Sequence, residues 1–428
     1  MNILVVVKNT KLVGRIVQNV KFNKCYLVST EKIKKKYQSI NQIYTYLMDD
    51  VMYNSYFNNF DWNNIQPLDQ KTVMDMYQAQ VETLIMYDKF DLPTYNERYT
   101  LYIQQLRFWS DFLDKNDIRL YIRDHPGHGG YDHIIYHLCK YKNIPVILHF
   151  SMYPGYKFMF DDIYNFMPEL KEEYEKNKAI YQDIEIDSII LPNEWKKIID
   201  QHWNKQSVQH KPIVIPKGKL HRRRHKELEQ SKKKLWNSYD RQCVSPNYSI
   251  TYLYYALHFQ PEASTSPLGG VFCDQLLIAS ILSQLGIQIY VKEHPRLSSN
   301  RTKEFYEYLL SLKNVYLIRR DQDSYKLIDN SLAVVTATGT AGWEAVLRGK
   351  PVLMFGHNFY QYAPGVFKVG SVNDCKSALS KISLLALNKK DVILFVLSLQ
   401  PFIFKKGTQE HIDILCKRVN QLVEGGNK

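Results

Sequence analysis

Two threonines and a glycine stand at the start of a predicted helix in the second half of the chain. Thr338, Gly339 and Thr340 follow a short apolar run and precede a helical pattern at 341–348. Backbone N–H groups at a helix start, together with the helix dipole, favour an anion such as phosphate. Glu344 lies one turn further on, within reach of a ribose hydroxyl. In the alternative interpretation, a threonine merely caps the helix and Glu344 complements its dipole.

A compact group of cationic side chains follows another predicted strand. Lys292, His294 and Arg296 fall within five positions, and Pro295 keeps the residues before it extended. A histidine can hydrogen-bond a phosphate oxygen and donate a proton to it as the leaving group departs. A solvated strand end is the alternative, but the density of donors favours a phosphate site.

A polar stretch at 258–265 closes the strand that comes before these two motifs. Gln260 and Thr265 offer neutral partners for sugar hydroxyls, and Glu262 is a candidate general base or nucleophile. The competing interpretation is a turn around Pro261 that is held by capping side chains. Taken alone, the turn is the simpler explanation.

In the first half, a glycine-rich turn joins a predicted strand to a predicted helix. Its polar residues are Arg123, Asp124, His128 and Asp132, and its three glycines permit close approach of the backbone to a ligand. The turn does not match GxGxxG and lacks the GK[ST] of a P-loop, so a dinucleotide-binding fold is poorly supported. Asp124, His128 and Asp132 are potential metal ligands. Their spacing is loose and favours local hydrogen bonding, so we expect no metal.

Alternating strands and helices surround these motifs and must position them. Because ligands of parallel α/β sheets bind beyond the carboxyl ends of the strands, each motif falls where a ligand site is expected. Apolar runs predict strands at 3–7, 25–29, 118–122, 145–150 and 186–191 in the first half, and at 249–259, 287–291, 315–318, 332–336 and 351–355 in the second.

The length of 428 residues exceeds what one core usually organises, so we expect two domains. The composition turns basic and poor in apolar residues between about 211 and 240, which places the boundary there. The predicted division is an N-terminal Rossmann-like domain at 1–215, a basic connecting segment at 216–240 and a C-terminal Rossmann-like domain at 241–428. The predicted fold class is therefore α/β, with two facing Rossmann-like domains and an interdomain cleft.

Composition limits the class of protein and its partners. A hydrophobic share of 45% and a charged share of 23% exclude a disordered chain or a simple coiled coil. The 56 basic and 43 acidic residues leave a net charge of +13, which attracts nucleic acid, anionic lipid or an anionic small molecule. Six scattered cysteines, without a CxxC pair or a Cys/His spacing suited to zinc, predict structural thiols. Neither a membrane-spanning run nor a signal peptide is found, so we expect a cytoplasmic protein.

Several catalytic classes lack their sequence motifs. The chain has no GxSxG elbow, no HExxH motif, no kinase motif set and no zinc deaminase pattern. For the basic run that includes 217–226 and 232–234, a solvated linker is the preferred interpretation, and an anionic membrane surface is the alternative.

Taken in order, four segments resemble the bacterial capsule polysaccharide biosynthesis proteins, which are related to the retaining β-Kdo transferases of capsule and lipopolysaccharide assembly. They are HFQPEAST at 258–265, the Asp274-Gln275 pair, YVKEHP at 290–295 and TATGTAGWEAVLRGKPVLMFG at 336–356. The resemblance covers roughly residues 245–370, and the order of the segments is its most specific feature.

This resemblance implies a GT-B glycosyltransferase that needs no metal, with a nucleotide sugar in the C-terminal domain and a glycan or glycolipid acceptor across the cleft. In the Kdo branch the donor is CMP-Kdo, and a UDP-sugar is the alternative. The His-Pro pair also resembles the motif with which bacterial sialyltransferases meet the CMP phosphate, and His294 takes that position. Glu344 matches the glutamate that holds the ribose in many GT-B enzymes. The acidic motif that supplies the sialyltransferase base is absent, which argues against sialyl transfer.

Both lines of reasoning give one hypothesis, a transferase of surface or capsule polysaccharide synthesis. Glu262 and His294 are its predicted catalytic residues. We expect no permanently bound cofactor and no nucleic-acid partner, and the basic surface would meet anionic glycolipid or the inner face of the membrane. The alternatives are a nucleotide-sugar epimerase of the same architecture and a non-catalytic polyanion-binding protein acting through 222–234. The predicted donor-binding residues are Gln260, Lys292, Arg296, Thr338, Gly339, Thr340 and Glu344, and the acceptor-side residues are Arg123, Asp124, His128 and Asp132.

Overall fold

The computed structural model describes residues 1–48, 57, 60–87, 94–206, 234–260, 264–294, 301–405 and 408–425. The chain divides into one unit formed by Met1–Met167 with Gln400–Lys428 and a second unit formed by Pro168–Leu399. Each unit contains one sheet of mainly parallel strands with helices between them. The predicted α/β class with two Rossmann-like units is therefore confirmed.

The elements are numbered here along the chain. Up to residue 167 they are β1 (Asn2–Val6), α1 (Thr10–Asn19), β2 (Lys24–Ser29), α2 (Glu31–Tyr37), β3 (Ile43–Leu47), α3 (Gln70–Asp75), α4 (Tyr77–Met86), α5 (Tyr95–Lys115), β4 (Ile118–Arg123), α6 (Tyr131–Tyr141), β5 (Val146–Met152) and β6 (Tyr156–Phe160). From residue 168 to 399 they are α7 (Pro168–Ile180), α8 (Asn193–Trp203), β7 (Tyr252–Ala256), α9 (Gln275–Ser283), β8 (Gln288–Lys292), α10 (Lys303–Ser311), β9 (Val315–Ile318), α11 (Ser324–Asn330), β10 (Ala333–Thr336), α12 (Thr340–Leu347), β11 (Val352–Met354), β12 (Val366–Lys368), α13 (Val372–Ile382) and α14 (Lys389–Leu399). The last two are β13 (Ile403–Lys405) and α15 (Gln409–Gly425).

The sheet of the first unit has the strand order β13-β6-β5-β4-β1-β2-β3. The interior strand β1 pairs in parallel with β2 and β4, and four of its five residues are buried. A continuous apolar run of this kind is typical of a parallel strand that is covered on both faces. Among the described strands of this sheet, β6 alone runs in the opposite direction, and it pairs antiparallel with both β5 and the edge strand β13.

The sheet of the second unit is parallel throughout, in the order β12-β11-β10-β7-β8-β9. Its core contains Leu253, Val291 and Val335, one from each of the three neighbouring strands β7, β8 and β10. The carboxyl ends of these three strands therefore lie side by side, which positions the segments that follow them.

The division of the chain differs from the predicted one in two places. Residues 168–203 belong to the second unit, where the Trp195 ring lies 6.4 Å from that of Trp343. The C-terminal residues return to the first unit, where Leu415 and Val419 are buried in the same core as β1. Sequence composition did not reveal either assignment because both depend on packing between distant segments. Of the predicted connecting segment at 216–240, residues 216–233 lie outside the described residues and 234–240 are helical.

One predicted strand is wrong. The run 186–191 forms a 3-10 turn at Ile186–Ser188 and then leads into α8 without pairing to a strand. The side chain of Ile190 is 88% exposed, so this apolar run does not provide the continuous burial of a core strand. The other predicted strands are present, with ends shifted by a few residues.

Two further expectations concern the cysteines and the membrane. All six cysteines have free thiols, as predicted. Within the described parts of the chain, none of the helices combines the length and the apolar character that crossing a bilayer would require.

Candidate functional site

The three C-terminal motifs follow the carboxyl ends of neighbouring strands in the second sheet, so they meet on one side of that sheet, which is called its carboxyl edge here. Ala256 pairs with Lys292 in the β7–β8 register, and Tyr255 pairs with Val335 in the β7–β10 register. The segments after β7, β8 and β10 therefore leave the sheet next to one another. This is the convergence that the sequence hypothesis requires, and the edge is where ligands of such sheets bind.

His258 joins two of these segments. Its Nε2 atom accepts hydrogen bonds from the N–H groups of Ala337 at 3.2 Å and Thr338 at 3.4 Å, and it lies 2.8 Å from the hydroxyl of Thr336. Burial, with the nearby charges of His294 and Arg301, lowers the pKa of His258 to about 3. The imidazole is therefore neutral at physiological pH and can accept these bonds.

The Asp-Gln pair explains how His258 is held. The side chain of Asp274 caps α9 by accepting from the N–H of Leu276 at 3.0 Å. The buried amide of Gln275 then accepts from the N–H of His258 at 2.7 Å and donates to its carbonyl at 3.3 Å. The pair thus fixes the backbone after β7 against the start of α9.

The turn before α12 is tightly packed. The N–H of Gly339 donates to the Thr336 hydroxyl at 2.7 Å, and the hydroxyl of buried Thr338 donates to the carbonyl of Ser264. A Cβ at Gly356 would lie 2.5 Å from the methyl carbon of Thr338, which explains the glycine there. Because the N–H of Thr338 donates to His258 and the N–H of Gly339 donates to Thr336, an anion would meet the next N–H groups of α12.

Neither threonine of this motif caps the helix. The N-cap residue is Gly339, and α12 begins at Thr340, which is exposed. The first turn of α12 contains no acidic residue, so Glu344 lies beyond the position where an acid complements the dipole. The capping alternative therefore fails to explain these residues.

Lys292 is buried, and its ammonium group already makes hydrogen bonds within the second unit. Its ammonium group donates to the carbonyl of Gln322 and to the hydroxyl of Ser324, both at 2.7 Å. Burial lowers the pKa of Lys292, whereas the carboxylates of Asp323 and Glu344 oppose this shift.

The sequence analysis did not assign a role to Glu293. Its Oε2 atom accepts from Arg301 Nε at 2.8 Å and from the Tyr306 hydroxyl at 2.7 Å, and its Oε1 atom accepts from the N–H of His294 at 2.8 Å. Both members of the Arg301–Glu293 pair are buried. The pair thereby fixes the backbone of His294, whose ring centroid lies 5.5 Å from that of Phe259.

Arg301 also reaches the β7 segment. It donates to the carbonyl of His258 at 3.0 Å and to the side-chain oxygen of Gln260 at 3.3 Å. The Gln260 amide in turn donates to the carbonyl of Cys273 at 2.8 Å and is buried. Gln260 therefore supports the loop, and its predicted contact with the donor stays a prediction. The predicted residues Glu262 and Arg296 lie outside the described residues.

The glycine-rich turn of the first unit is organised by a buried arginine. Arg123 donates to Asp132 at 2.7 Å, to Asp124 at 3.1 Å and to the carbonyl of Val6 at 2.8 Å. Asp132 also accepts from the N–H of Gly129 at 2.8 Å. Burial raises the pKa of Asp124, but the Arg123 guanidinium has the opposite effect and the net shift is downward.

This network supports the predicted local hydrogen bonding over a metal on the turn. The guanidinium of Arg123 lies 2.7 Å from a carboxylate oxygen of Asp132 and 2.9 Å from His125 Nε2. A cation is thus already placed between the potential ligands. The ring centroid of His128 lies 4.6 Å from that of His125. His128, the remaining predicted acceptor-side residue, therefore lies at the same turn.

The match to a family model lies in the second unit. Residues 272–381 match the model of the family described as capsule polysaccharide biosynthesis protein. The family resemblance is thereby confirmed. The matched segment includes Lys292, His294, Thr338 and Glu344 but not Gln260. No curated protein matches the sequence.

Among solved structures, the chain is similar to a KpsC β-Kdo 2,7 transferase of Thermosulfurimonas dismutans, at 13% identity and a TM-score of 0.35, over 82% of this chain and 97% of that chain. The KpsC β-Kdo 2,4 transferase of the same organism matches at 15% identity and a TM-score of 0.34, over 70% of this chain and 87% of that chain. The UDP-GlcNAc 2-epimerase of Methanocaldococcus jannaschii, in complex with UDP-GlcNAc and UDP, matches at 14% identity and a TM-score of 0.30, over 97% and 99%.

Proposed function

We propose that this protein is a glycosyltransferase that moves a sugar from a nucleotide donor to a glycan or glycolipid acceptor in capsule or surface polysaccharide synthesis. The observation that carries the proposal is the meeting of three motifs at the carboxyl edge of the second sheet, with His258 bonded to the turn after β10. The family match over 272–381 supports the same function.

The donor phosphate would lie between the start of α12 and the residues that follow β8. The helix start supplies N–H groups and a partial positive charge, and His294 supplies a hydrogen bond and a proton for the departing phosphate. Such preorganised donors stabilise the charge that develops on a leaving phosphate, so this site uses no metal. Lys292 contributes charge from a buried position, and Arg296 is the further cationic residue of the proposal.

The donor is a nucleotide sugar, and we favour a CMP-sugar such as CMP-Kdo, with a UDP-sugar as the alternative. Glu344 would bind the ribose and Gln260 and Glu262 would face the sugar, with Glu262 as base or nucleophile. This part of the proposal comes from the family resemblance and from the position of Glu344 one turn into α12. The Arg123 turn of the first unit is the proposed acceptor side, and the basic surface would contact an anionic glycolipid or membrane.

The test uses the full-length protein with CMP-Kdo, UDP-GlcNAc and their free nucleotides. We expect one nucleotide class to raise the melting temperature, because a ligand that binds the native state stabilises it by mass action. The matching donor should be consumed and its sugar transferred to bacterial glycolipid extract, as followed by mass spectrometry.

Two variants and a matched control then locate the chemistry. His294→Ala and Glu344→Ala should each reduce transfer by about 100-fold or more, whereas Glu307→Ala, a surface acid that pairs with Lys303, should not. Conversion of UDP-GlcNAc without acceptor would instead identify an epimerase. Full activity of both variants would refute the proposed site.

A further inference from the structure

Four polar side chains converge inside the first unit, away from the glycine-rich turn. Glu82 comes from α4, His133 and His137 come from α6, and Tyr164 follows β6. His133 Nε2 lies 2.7 Å from Glu82 Oε2, His137 Nε2 lies 3.2 Å from His133 Nε2, and the Tyr164 hydroxyl lies 2.6 Å from Glu82 Oε2. One oxygen and two imidazole nitrogens therefore point at a common centre.

The local sequence explains this convergence. Residues four apart on a helix share one face, so His133 and His137 both face α4. Glu82 is buried, although a buried carboxylate is costly unless it has a partner of opposite charge. Among the described residues, neither a lysine nor an arginine pairs with it. Its partners are the two imidazoles and the phenol, with a longer bond of 3.4 Å from the Gln78 amide to the other carboxylate oxygen.

Without a metal, hydrogen bonds join three of these side chains to the carboxylate but leave the two imidazoles unbonded to each other. The N–H of His133 and the O–H of Tyr164 both donate to the same oxygen of Glu82. The Nε2–H of His137 can then donate to the Tyr164 oxygen, which lies 3.0 Å away. In that arrangement both Nε2 atoms, which lie 3.2 Å apart, carry a proton and make no hydrogen bond to each other.

We propose that Glu82, His133 and His137 bind a divalent transition-metal ion, with zinc as the leading candidate. Ligand atoms about 2.0–2.2 Å from a tetrahedral zinc ion lie about 3.4 Å from one another. The three separations present here are 2.7, 3.2 and 3.7 Å, which bracket that value. Two imidazoles and one carboxylate are a donor set for zinc rather than for magnesium or calcium.

The surroundings of the cluster allow an ion to bind. The His137 side chain is 12% exposed, which gives an ion a route from solvent. Tyr164 or a water would complete the fourth position.

A second cluster in the same unit provides a matched comparison. The ligand atoms of His125, His128 and Asp132 also lie within 4.8 Å of one another. There, however, the Arg123 guanidinium already contacts His125 and Asp132. The two clusters thus differ mainly in whether a side-chain cation is already present.

The inference departs from two sequence expectations, the lack of a zinc spacing and the lack of a permanently bound cofactor. The two histidines are visible in the sequence at a spacing of four residues, but the third ligand is not, because Glu82 lies 51 residues before His133. The ion would fasten α4 to α6, the helix that carries Asp132 in its first turn. It would not supply the phosphate chemistry proposed for the second unit.

The test measures metal binding by the full-length protein, prepared without a histidine tag, stripped with chelator and dialysed against zinc or cobalt. We expect one tightly bound ion per chain in the wild type and in His128→Asn. His137→Asn and Glu82→Gln should lose at least about 100-fold in affinity, with circular dichroism confirming that they fold. A wild type that binds no ion, or a His137→Asn variant that binds like the wild type, would overturn the proposal.

A measurement on the wild type alone keeps the inference testable if the variants do not fold. X-ray absorption of the zinc-loaded protein should show two imidazole nitrogens and otherwise oxygen ligands. A sulfur ligand, or any other number of imidazoles, would contradict the assignment.

Discussion

Arg301 is the residue on which the local geometry of the candidate site depends most. It pairs with Glu293, which fixes His294, and it also holds the carbonyl of His258. Removing one member of a buried ion pair leaves the other charge unpaired, which is strongly destabilising. The positions of two predicted motifs thus rest on a side chain that belongs to neither.

Arg301→Ala should therefore lower the free energy of unfolding by about 3–5 kcal/mol, as measured by urea denaturation. Arg319→Ala is the control, because Arg319 pairs with Asp321 at the surface, where such pairs contribute about 0–1 kcal/mol. Equal losses in the two variants would show that the Arg301–Glu293 pair does not stabilise the unit.

The neutral imidazole of His258 makes stability depend on pH. Its pKa is lowered from an ordinary 6.5 to about 3, so the unfolded chain binds a proton that the folded chain excludes. Its contribution is complete above pH 6.5 and is lost as the pH falls from there towards 3. His258→Gln should flatten the loss of stability below pH 6 by up to about 1.4 kcal/mol per pH unit. Unfolding curves between pH 5 and 8 that have the same pH dependence in both proteins would contradict this.

At the scale of elements, the start of α12 depends on the absence of a side chain at Gly342. A Cβ there would lie 2.7 Å from the Tyr360 hydroxyl and 2.9 Å from the methyl carbon of Thr336. The Tyr360 hydroxyl also donates to the carbonyl of Gly339. Close packing of α12 against β10 and the segment after β11 therefore sets where the helix begins.

Gly342→Ala should destabilise the protein by about 1–3 kcal/mol through overpacking. In a Tyr360→Phe background the same change should cost less, because the nearest clashing atom is gone. A double-mutant cycle of thermal unfolding measures the difference. A cost that is unchanged by Tyr360→Phe would mean that the clash is elsewhere.

Much of the element pattern could be predicted from the sequence, because strands β1, β8 and β10 are short, mainly apolar runs, and the last two lead directly into polar motifs. The meeting of the motifs could also be predicted, because the carboxyl ends of parallel strands lie on the same side of a sheet. The side chains that hold the carboxyl edge together could not be predicted. His258 bonds Thr336 across 78 positions and Arg301 bonds His258 across 43, and neither relation leaves a local pattern.

At the scale of the whole molecule, the two units have separate cores although the chain passes between them twice. The second crossing brings α15 back to the first unit, where Leu415 is 1% exposed. The C-terminal segment thus completes a core that the first residues of the chain begin. Composition could not predict this return, since it is a property of packing.

Leu415→Ala should therefore destabilise the first unit by about 2–5 kcal/mol. Hydrogen exchange should speed up in β1 and β2 but not in β7 and β8. Leu384→Ala is the control, because that side chain is 88% exposed. Faster exchange in the second unit alone would contradict the division of the chain.

The most direct measurement follows hydrogen exchange across the chain while CMP or UDP is added. If one phosphate site joins the segments after β8 and β10, peptides covering 288–294 and 336–344 should become protected together, and His294→Ala should abolish both effects. Protection of only one of these peptides, or of neither while a nucleotide binds elsewhere, would contradict the account.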